Sequence, residues 1–304
     1  MAVQSAKLEH RTRCAAECRD ARRSRFACTG GRPFESGPDI ETVADHVESS
    51  PLKISVITAA YKSEATVGEA IASVAAQTHP DLEHLVIEGN SEDGTFDAIE
   101  RSAHDRMRLI SEPDEGIYDA LNKGVQNATG DVIGFIHSDD FLAHDGVLAR
   151  IAAAFEDPAV EAVFSDLIYV SQADTSRVIR HWSTGPFHPR RLKYGWMPAH
   201  PTLYLRREIY ERLGSYDQNF GISADYDFIL RYFSQATGKS VYIPEVLYKM
   251  RVGGVSNRNW PKIRQKMEED MLAIRRNRVG GLHTLALKNL SKVGQFLVRP
   301  QRSS

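Results

Sequence analysis

Two adjacent aspartates, Asp139 and Asp140, are the residues of this chain whose type and position most clearly suggest chemistry. They follow residues 132–136, an apolar run with the composition of a buried β-strand. Two carboxylates this close raise each other's pKa unless a cation, a hydrogen-bond donor or water compensates. A divalent metal is one candidate partner, and the N-terminus of a following helix, which the pair would cap, is the other. The pair alone does not decide between them.

The elements around this pair alternate between strands and helices from residue 52 onward. Each stretch shows either an apolar β-branched run or apolar residues at helical spacing. Such alternation predicts an α/β fold with a mainly parallel sheet and helices on both faces. Ligands of these sheets bind beyond the carboxyl ends of the strands, where Asp139 and Asp140 would lie. The predicted strands are 53–59, 84–87, 107–111, 132–136 and 162–164, and the predicted helices are 64–77, one beginning near 96, 118–127, 146–155 and 225–234.

The composition is that of a globular protein, with 304 residues, a formal net charge of −2 and a pI near 6.6. This balance gives no global field for nucleic acid, so we expect no nucleic-acid partner. No apolar stretch reaches the roughly 18 to 20 residues of a membrane-spanning helix, and no secretory signal is visible. Cys14, Cys18 and Cys28 precede the predicted core, which therefore relies on no disulfide. We expect a cytoplasmic location.

The chain divides into three predicted parts. Residues 1–50 carry a short basic cluster without apolar periodicity, which predicts a disordered or weakly structured extension; binding to a partner or an acidic lipid surface is the alternative. Residues 51–257 form the predicted α/β domain. Residues 258–304 are predicted to be helical and basic, with an apolar stripe that either packs on the domain or lies on an anionic membrane surface. The stripe consists of Leu282, Ala286, Leu290, Val293 and Leu297.

Several short motifs follow one another near the predicted strand ends. They are Ile54-Ser-Val-Ile-Thr-Ala-Ala-Tyr61, Ser73-Val-Ala-Ala-Gln77, Glu88-Gly-Asn-Ser-Glu-Asp-Gly-Thr95, Glu112-Pro-Asp-Glu-Gly-Ile-Tyr-Asp-Ala-Leu-Asn-Lys-Gly124, Asp139-Asp140, Met197-Pro-Ala-His200, Ala224-Asp225 and Gly253-Gly-Val-Ser256. In this order and spacing they resemble the family 2 glycosyltransferases, whose nucleotide-sugar-binding fold is called GT-A. The resemblance covers about residues 52–257. It is greatest to the transferases that assemble bacterial surface polysaccharides of the colanic acid type.

The resemblance implies metal-assisted transfer from a nucleotide-diphosphate sugar. Asp140 is the implied ligand of Mg²⁺ or Mn²⁺, whose charge would offset that of the leaving diphosphate. Asp139 is the implied contact to the ribose or to the metal shell. A solvated helix position is the alternative for Lys123, and a structural role is the alternative for His200. The other implied nucleotide-sugar-binding residues, these two included, are Thr58, Ala60, Tyr61, Glu88, Asp114, Lys123 and His200.

Asp225 is the implied catalytic base, with Asp227 as the second choice and helix capping as the alternative for either. An acceptor hydroxyl is a poor nucleophile, so its attack on the anomeric carbon needs a carboxylate within hydrogen-bond reach. A single base on the face opposite the leaving group predicts one in-line displacement and inversion of the anomeric centre. No covalent sugar intermediate is expected.

The implied activity is that of a hexosyl- or N-acetylhexosaminyltransferase. A UDP-sugar is the favoured donor, a saccharide or lipid-linked saccharide is the acceptor, and peripheral contact with the inner face of the membrane is a further expectation. Two departures from the family pattern keep an alternative open. Glu88-Gly89 stands where two successive Asp residues are common, and Ala224 stands where Glu precedes the base. The alternative is a non-catalytic nucleotide-sugar or saccharide-binding module on the same fold.

Overall fold

The sheet is built from the apolar runs that the sequence spaces along the chain. The computed structural model describes residues 52–252 and 260–294, and the strands within these ranges form one sheet. The basic extension predicted over residues 1–50 and the Gly253-Gly-Val-Ser256 motif lie outside the described residues. The strands are β1 (Ile54–Ala60), β2 (Leu82–Glu88), β3 (Met107–Ser111), β4 (Val132–Phe135), β5 (Phe141–Leu142), β6 (Val160–Val170), β7 (Val178–Trp182), β8 (Tyr204–Arg206) and β9 (Lys239–Arg251).

The helices of the described ranges lie between these strands and after the last of them. Short 3₁₀ helices at Pro189–Tyr194 and His200–Thr202 add to the second half. The α-helices are α1 (Val67–Ala75), α2 (Thr95–Arg101), α3 (Ile117–Asn127), α4 (Val147–Ala154), α5 (Arg207–Leu213), α6 (Ala224–Gln235), α7 (Trp260–Arg276) and α8 (Leu282–Gly294).

The strand order is β3-β2-β1-β4-β8-β6-β9-β5, with β7 paired to β6 outside this path. β1 pairs in parallel with β2 and β4, and β2 pairs in parallel with β3. Because parallel neighbours need crossover connections, α1, α2 and α3 link these strands, and the four carboxyl ends meet at one edge. β8 runs antiparallel between β4 and β6, whereas β6 and β9 are parallel. The predicted α/β fold with a mainly parallel sheet is confirmed.

The core forms on both faces of the central strands. Every residue of β1 and of β4 is buried, which accounts for their mainly apolar composition. On α1 the buried residues include Val67, Ile71 and Val74, the three whose helical spacing predicts the helix. The second half of the chain adds a cluster of aromatic side chains in which Trp196 and Phe233 meet edge to face.

The predicted helical C-terminal segment is confirmed as α7 and α8. Ala273 of α7 and Leu285 of α8 are buried in the same apolar cluster as the inner face of α6. Lys288 of α8 is also buried, whereas Leu282 and Leu290 of the predicted stripe are 74% and 64% exposed. The described part of the stripe therefore faces away from the domain, because the opposite side of α8 carries the buried contacts. Among the helices of residues 52–252 and 260–294, none combines the length and apolarity needed to span a bilayer.

Candidate active site

The Asp139-Asp140 pair lies in a tight turn beyond the carboxyl end of β4. No helix starts there, since the chain continues into β5 and α4 begins only at Val147, so the helix-cap interpretation of the pair is wrong. Oδ1 of Asp140 instead accepts a hydrogen bond from the backbone N–H of Arg251 at 3.0 Å. The Arg251 guanidinium donates to the backbone oxygen of Asp139 at 2.6 Å and pairs with Glu69 of α1. Arg251 thus fixes the turn from the end of β9.

The second carboxylate oxygen of Asp140, Oδ2, is a buried acceptor to which no described residue donates. Asp140 is fully buried, and Oδ2 has no hydrogen-bond partner among the described residues. Burial, reinforced by the neighbouring Asp139 carboxylate, raises the pKa of Asp140 well above 3.8, although the Arg251 N–H and guanidinium oppose this. A buried, unpaired acceptor beside a second carboxylate is an arrangement that a cation would stabilise.

The donor set fits Mg²⁺ or Mn²⁺ better than a metal held by protein alone. Within the described residues no group of three or more His, Cys, Asp or Glu side chains is arranged to hold a metal ion. Hard divalent cations bind oxygen ligands and are often held by one or two carboxylates, with phosphate and water completing the shell. Asp140, assisted by Asp139, offers that kind of partial site.

The loop after β2 is organised by Glu88, whose side chain is almost fully buried. Its carboxylate accepts hydrogen bonds from the backbone N–H groups of Asn90 and Ser91, at 3.0 and 2.6 Å, and from the hydroxyl of Ser111 at 2.6 Å. Burial acts to raise the pKa of Glu88, but these hydrogen bonds outweigh it and lower the pKa. Both carboxylate oxygens of Glu88 therefore hold the loop in place. Contact between Glu88 and the base of the nucleotide stays a prediction.

Asp114 occupies the space that the missing side chain at Gly89 leaves open. A Cβ added at Gly89 would overlap the Asp114 carboxylate, and it would lie 3.2 Å from the ring of Tyr61. Asp114 Oδ1 accepts from the Gly116 N–H at 2.9 Å. Gly89, Asp114 and the half-exposed Tyr61 thus form one wall at the ends of β1 and β2, with a carboxylate supplied from the loop after β3.

Lys123 supports this wall from α3. Its ammonium group lies 3.0 Å from Glu112 and 3.3 Å from Asp119, and it donates to the Pro113 carbonyl at 2.6 Å. Burial acts to lower the pKa of Lys123, but Glu112 and Asp119 outweigh it and raise the pKa. The cation therefore holds the loop that carries Asp114, and its predicted contact with the diphosphate stays a prediction.

The β1 residues are not equally available to a ligand. The Thr58 side chain is buried in the sheet, and its hydroxyl forms a 3.0 Å hydrogen bond with His84 Nε2. Ala60 is also buried at the strand end, whereas Tyr61 is 55% exposed. A nucleotide contact from Thr58 would thus use its backbone, while Tyr61 presents its side chain.

Asp225 lies in the first turn of α6, and its carboxylate is held by a residue of α3. Its Oδ1 accepts from the Tyr226 N–H at 2.8 Å and lies 3.2 Å from the hydroxyl of Tyr118. Oδ2 receives no hydrogen bond from the described residues. Asp227 is fully buried; its Oδ1 accepts from Asn277 at 2.9 Å, and its Oδ2 lies 3.5 Å from the Arg231 guanidinium. Asp225 is partly exposed, so it is the one of the two aspartates that a substrate could reach.

Two neighbouring histidines, His137 and His200, lie beside the Asp139-Asp140 turn. The imidazole of His137 stacks on that of His200 with ring centroids 6.0 Å apart. Burial lowers the pKa of His137, and the carboxylates of Asp139 and Asp225 oppose this shift. His200 Nε2 is 2.7 Å from the Tyr216 hydroxyl, and burial lowers its pKa to about 4, which makes His200 a neutral, hydrogen-bonded residue of the site floor.

Sequence reasoning missed His137 and Tyr118 as site residues. His137 lies two positions before Asp139 in the same run, and Tyr118 lies within the motif that ends at Gly124. Position in those motifs was the available signal. The contact of Tyr118 with Asp225 depends on the packing of α3 and α6 across more than a hundred residues, which spacing along the chain does not reveal.

A parallel-strand edge with a pair of adjacent aspartates, one of them buried, and a separate carboxylate near a helix N-terminus, is the arrangement of a glycosyltransferase of the GT-A fold. The chain belongs to glycosyl transferase family 2, whose model matches residues 55–214. It is 33% identical over 189 residues to a PGL/p-HBAD biosynthesis glycosyltransferase of Mycobacterium tuberculosis, covering 61% of this chain and 72% of that relative. It is 31% identical over 220 residues to an uncharacterized glycosyltransferase of a Nostoc species, covering 68% and 66% of the two chains.

Solved structures share the fold at low sequence identity. The mannosyltransferase PcManGT of Pyrobaculum calidifontis, in complex with GDP-Man and Mn²⁺, aligns with a TM-score of 0.58 at 19% identity, covering 88% of this chain and 76% of that chain. S. aureus TarS 1–349 in complex with UDP-GlcNAc aligns with a TM-score of 0.57 at 18% identity, covering 81% and 72%. In a longer TarS structure the chain spans only 43% of that chain, with a TM-score of 0.54.

Proposed function

We propose that this protein is an inverting, metal-assisted glycosyltransferase of glycan biosynthesis. It transfers a sugar from a nucleotide-diphosphate sugar, with a UDP-sugar the first candidate, to a saccharide or lipid-linked saccharide. The observation that carries this proposal is a chain of contacts between the buried Asp140 and Asp225. The Asp140 N–H donates to the His137 carbonyl at 3.0 Å, and the His137 ring stacks on His200, which hydrogen-bonds to Tyr216. The Tyr216 ring lies next to that of Tyr118, whose hydroxyl donates to Asp225. A cation site for the leaving group and a base for the acceptor are the two requirements of this reaction.

The residues divide the work of transfer between them. A Mg²⁺ or Mn²⁺ ion held by Asp140 would supply Lewis-acid stabilisation of the leaving diphosphate. Asp139 contacts the ribose or the metal shell, and the wall of Tyr61, Gly89 and Asp114 holds the nucleotide. Asp225 Oδ2 accepts the proton of the attacking hydroxyl, while Oδ1 stays bound to the Tyr226 N–H. One base and one displacement give inversion without a covalent sugar intermediate.

The names of similar proteins support the donor class in this proposal. The GT-A structures bind UDP-GlcNAc in one case and GDP-Man with Mn²⁺ in the other, which supports a nucleotide-sugar donor and a divalent ion. The mycobacterial relative is named a glycosyltransferase of PGL/p-HBAD biosynthesis, which supports a role in biosynthesis.

The experiment combines a donor panel with product stereochemistry. Nucleotide sugars with Mg²⁺ or Mn²⁺ are first ranked by the thermal stabilisation they cause. The best α-linked donor is then incubated with saccharide and lipid-linked acceptors, and the anomeric configuration of the product is read by NMR. A β-linked product, lost in Asp225→Asn although donor stabilisation persists, is expected. An α-linked product, or full transfer by Asp225→Asn, would reject the mechanism.

The non-catalytic alternative rests on Gly89 and on Ala224. Gly89 lacks a carboxylate, but Asp114 fills that space, so the departure at Gly89 does not leave the wall without an acid. Ala224 is fully buried next to Asp225 and leaves the base itself intact. Donor binding without nucleotide release across the whole acceptor panel would favour the binding module.

The exposed side of α8 supports a peripheral contact with an anionic membrane surface. Leu282, Leu290 and the neighbouring Tyr194 are 74%, 64% and 65% exposed. The 3₁₀ helix that carries Tyr194 also exposes Arg190 and Lys193, and Thr284 of α8 donates to the Lys193 carbonyl at 2.9 Å. Apolar side chains next to cations are the pattern that binds anionic lipid headgroups at the interface.

Vesicle sedimentation tests this contact. The protein should sediment with vesicles containing phosphatidylglycerol and should bind phosphatidylcholine vesicles less. Leu290→Glu should release it, while Ile179→Glu, at an exposed apolar position of β7, should not. Equal binding by Leu290→Glu would reject this surface, and dimers that form without lipid and are lost in Leu290→Glu would assign it to a second copy of the chain.

A further inference from the structure

The loop before α6 is held by a carboxylate of α7. The backbone N–H groups of Gly221, Ile222 and Ser223 donate to the carboxylate of Glu269 at 3.1, 2.8 and 2.9 Å. These three residues immediately precede α6, and Ser223 is its N-cap residue. Gln265 donates to the same carboxylate at 2.8 Å and fixes its orientation. Glu269 therefore holds the entry to α6 from a helix more than forty positions away.

The side chain of Ser223 also bonds to α7 instead of capping α6. Ser223 occupies the N-cap position of α6, but its side chain forms no capping hydrogen bond. Its hydroxyl donates instead to Asp270 of α7 at 2.9 Å. Asp270 is paired at 2.7 Å with the buried Lys288, whose ammonium group lies 3.2 Å from the centre of the Tyr226 ring. The N-terminus of α6 is thus fastened to both C-terminal helices.

This loop is also the one that leads directly into Asp225. The Tyr118 hydroxyl, which faces Asp225 Oδ1, is 2.6 Å from the carbonyl oxygen of Ile222. Ile222 is therefore bound on one side by Tyr118 and on the other, through its N–H, by Glu269. A shift of the loop would move Asp225 relative to the donor site. A displacement of about 1 Å in a reacting group can reduce a rate about 100-fold.

We propose that Glu269 is a positioning residue for transfer, acting through the Gly221–Ser223 loop on Asp225. The inference rests on the proposed role of Asp225 as base. A carboxylate can accept all three backbone N–H groups, whereas a glutamine has one acceptor oxygen and an NH₂ group that faces those donors without accepting from them. The C-terminal helices then belong to the catalytic apparatus, although the family match ends at residue 214.

Glu269→Gln is the variant that tests this inference, with Glu268→Gln as its matched control. Glu268 lies on the same helix, is exposed and, within the described part of the chain, pairs only with Arg264, at 2.8 Å. Glu269→Gln should lower kcat by about 10- to 100-fold while the donor KM and donor-induced thermal stabilisation change less than about twofold. Glu268→Gln should match the wild type. Glu269→Asp, which keeps the charge with a shorter reach, should recover part of the lost kcat.

The outcomes separate this inference from the function on which it rests. Unchanged kcat in Glu269→Gln would overturn it, and so would equal losses of kcat and donor binding, because these would indicate general support of the fold. If Glu269→Gln does not fold, Glu269→Asp decides, and the inference then requires a lower kcat at an unchanged donor KM. Full transfer by Asp225→Asn would instead reject Asp225 as the base, whatever Glu269 does.

Discussion

Asp140→Asn should make the metal-free protein more stable while removing its response to a metal-bound donor. The change neutralises a fully buried carboxylate beside Asp139, whose Oδ2 has no partner. It keeps an oxygen that can accept the Arg251 N–H, which Asp140 Oδ1 accepts at 3.0 Å. We expect a gain of about 0.5 to 2 kcal/mol in the free energy of unfolding, which is the usual size of a single stabilising substitution.

The response to ligand should change in the opposite direction. A ligand at 100 times its Kd stabilises the wild type by about 2.7 kcal/mol. At about 2 to 4 °C per kcal/mol for a domain of this size, Tm should rise by about 5 to 11 °C with Mn²⁺ and a nucleotide sugar. In Asp140→Asn the part of this rise that depends on Mn²⁺ should disappear.

Differential scanning fluorimetry and urea denaturation, in EDTA and then with Mn²⁺ and donor, measure both effects. Asp145→Asn, at an exposed aspartate of the following loop, is the control and should change stability by less than about 0.5 kcal/mol. A carboxylate that only supported the fold would give the reverse sign in EDTA. Lower stability of metal-free Asp140→Asn, or an intact Mn²⁺-dependent rise in Tm, would refute the metal-ligand reasoning.

Three further predictions concern the supports of the site. Lys288→Met should lower stability by about 3 kcal/mol in urea denaturation, because it leaves the buried Asp270 carboxylate without its closest cation, and a loss below about 1 kcal/mol would contradict this. Burial acts to raise the pKa of Asp270, but Lys288, Lys266 and the Ser223 hydroxyl together outweigh it and lower the pKa. The stability from this group is therefore present above pH 3.8 and should be lost as pH falls through the lower folded value, and Lys288→Met should flatten that pH profile. Gly89→Asp should weaken nucleotide-induced stabilisation by overlap and repulsion with Asp114, and the added change Asp114→Gly should restore part of it in the same thermal assay, whereas no effect of Gly89→Asp would contradict the shared wall.

The first half of the fold is predictable because its signals are local. The strands around β1 and β4 are buried on both faces, so their apolar runs appear directly in the sequence. β9 is different, since Lys239–Arg251 contains charged residues and Pro244 and owes its strand conformation to pairing with β6. The sequence therefore predicts β1 to β4, whose carboxyl ends form the edge of the site, but it does not predict β9, which holds Asp140 through Arg251.

The same distinction applies within the site. The order of motifs is enough to predict Asp140 and Asp225, because each lies in a short recognisable segment. That Asp114 fills the space beside Gly89 can be predicted only if one knows that these two loops touch. The hydrogen bonds from the loop before α6 to Glu269 likewise follow from the packing of α7 against α6. Ser223 even misleads, because a serine before a helix normally predicts a cap that it supplies itself.

The two halves of the proposed reaction therefore rest on different parts of the chain. The donor wall and the Asp139-Asp140 turn lie inside residues 55–214, the range that the family model matches, whereas Asp225 and its supports lie beyond it. The proposed donor half lies within that range, while the proposed acceptor half is positioned by contacts among α3, α6, α7 and α8. Changes to α7 and α8 should consequently alter transfer to the acceptor before they alter donor binding, a separation that measurement of kcat and donor KM in Glu269 variants addresses directly.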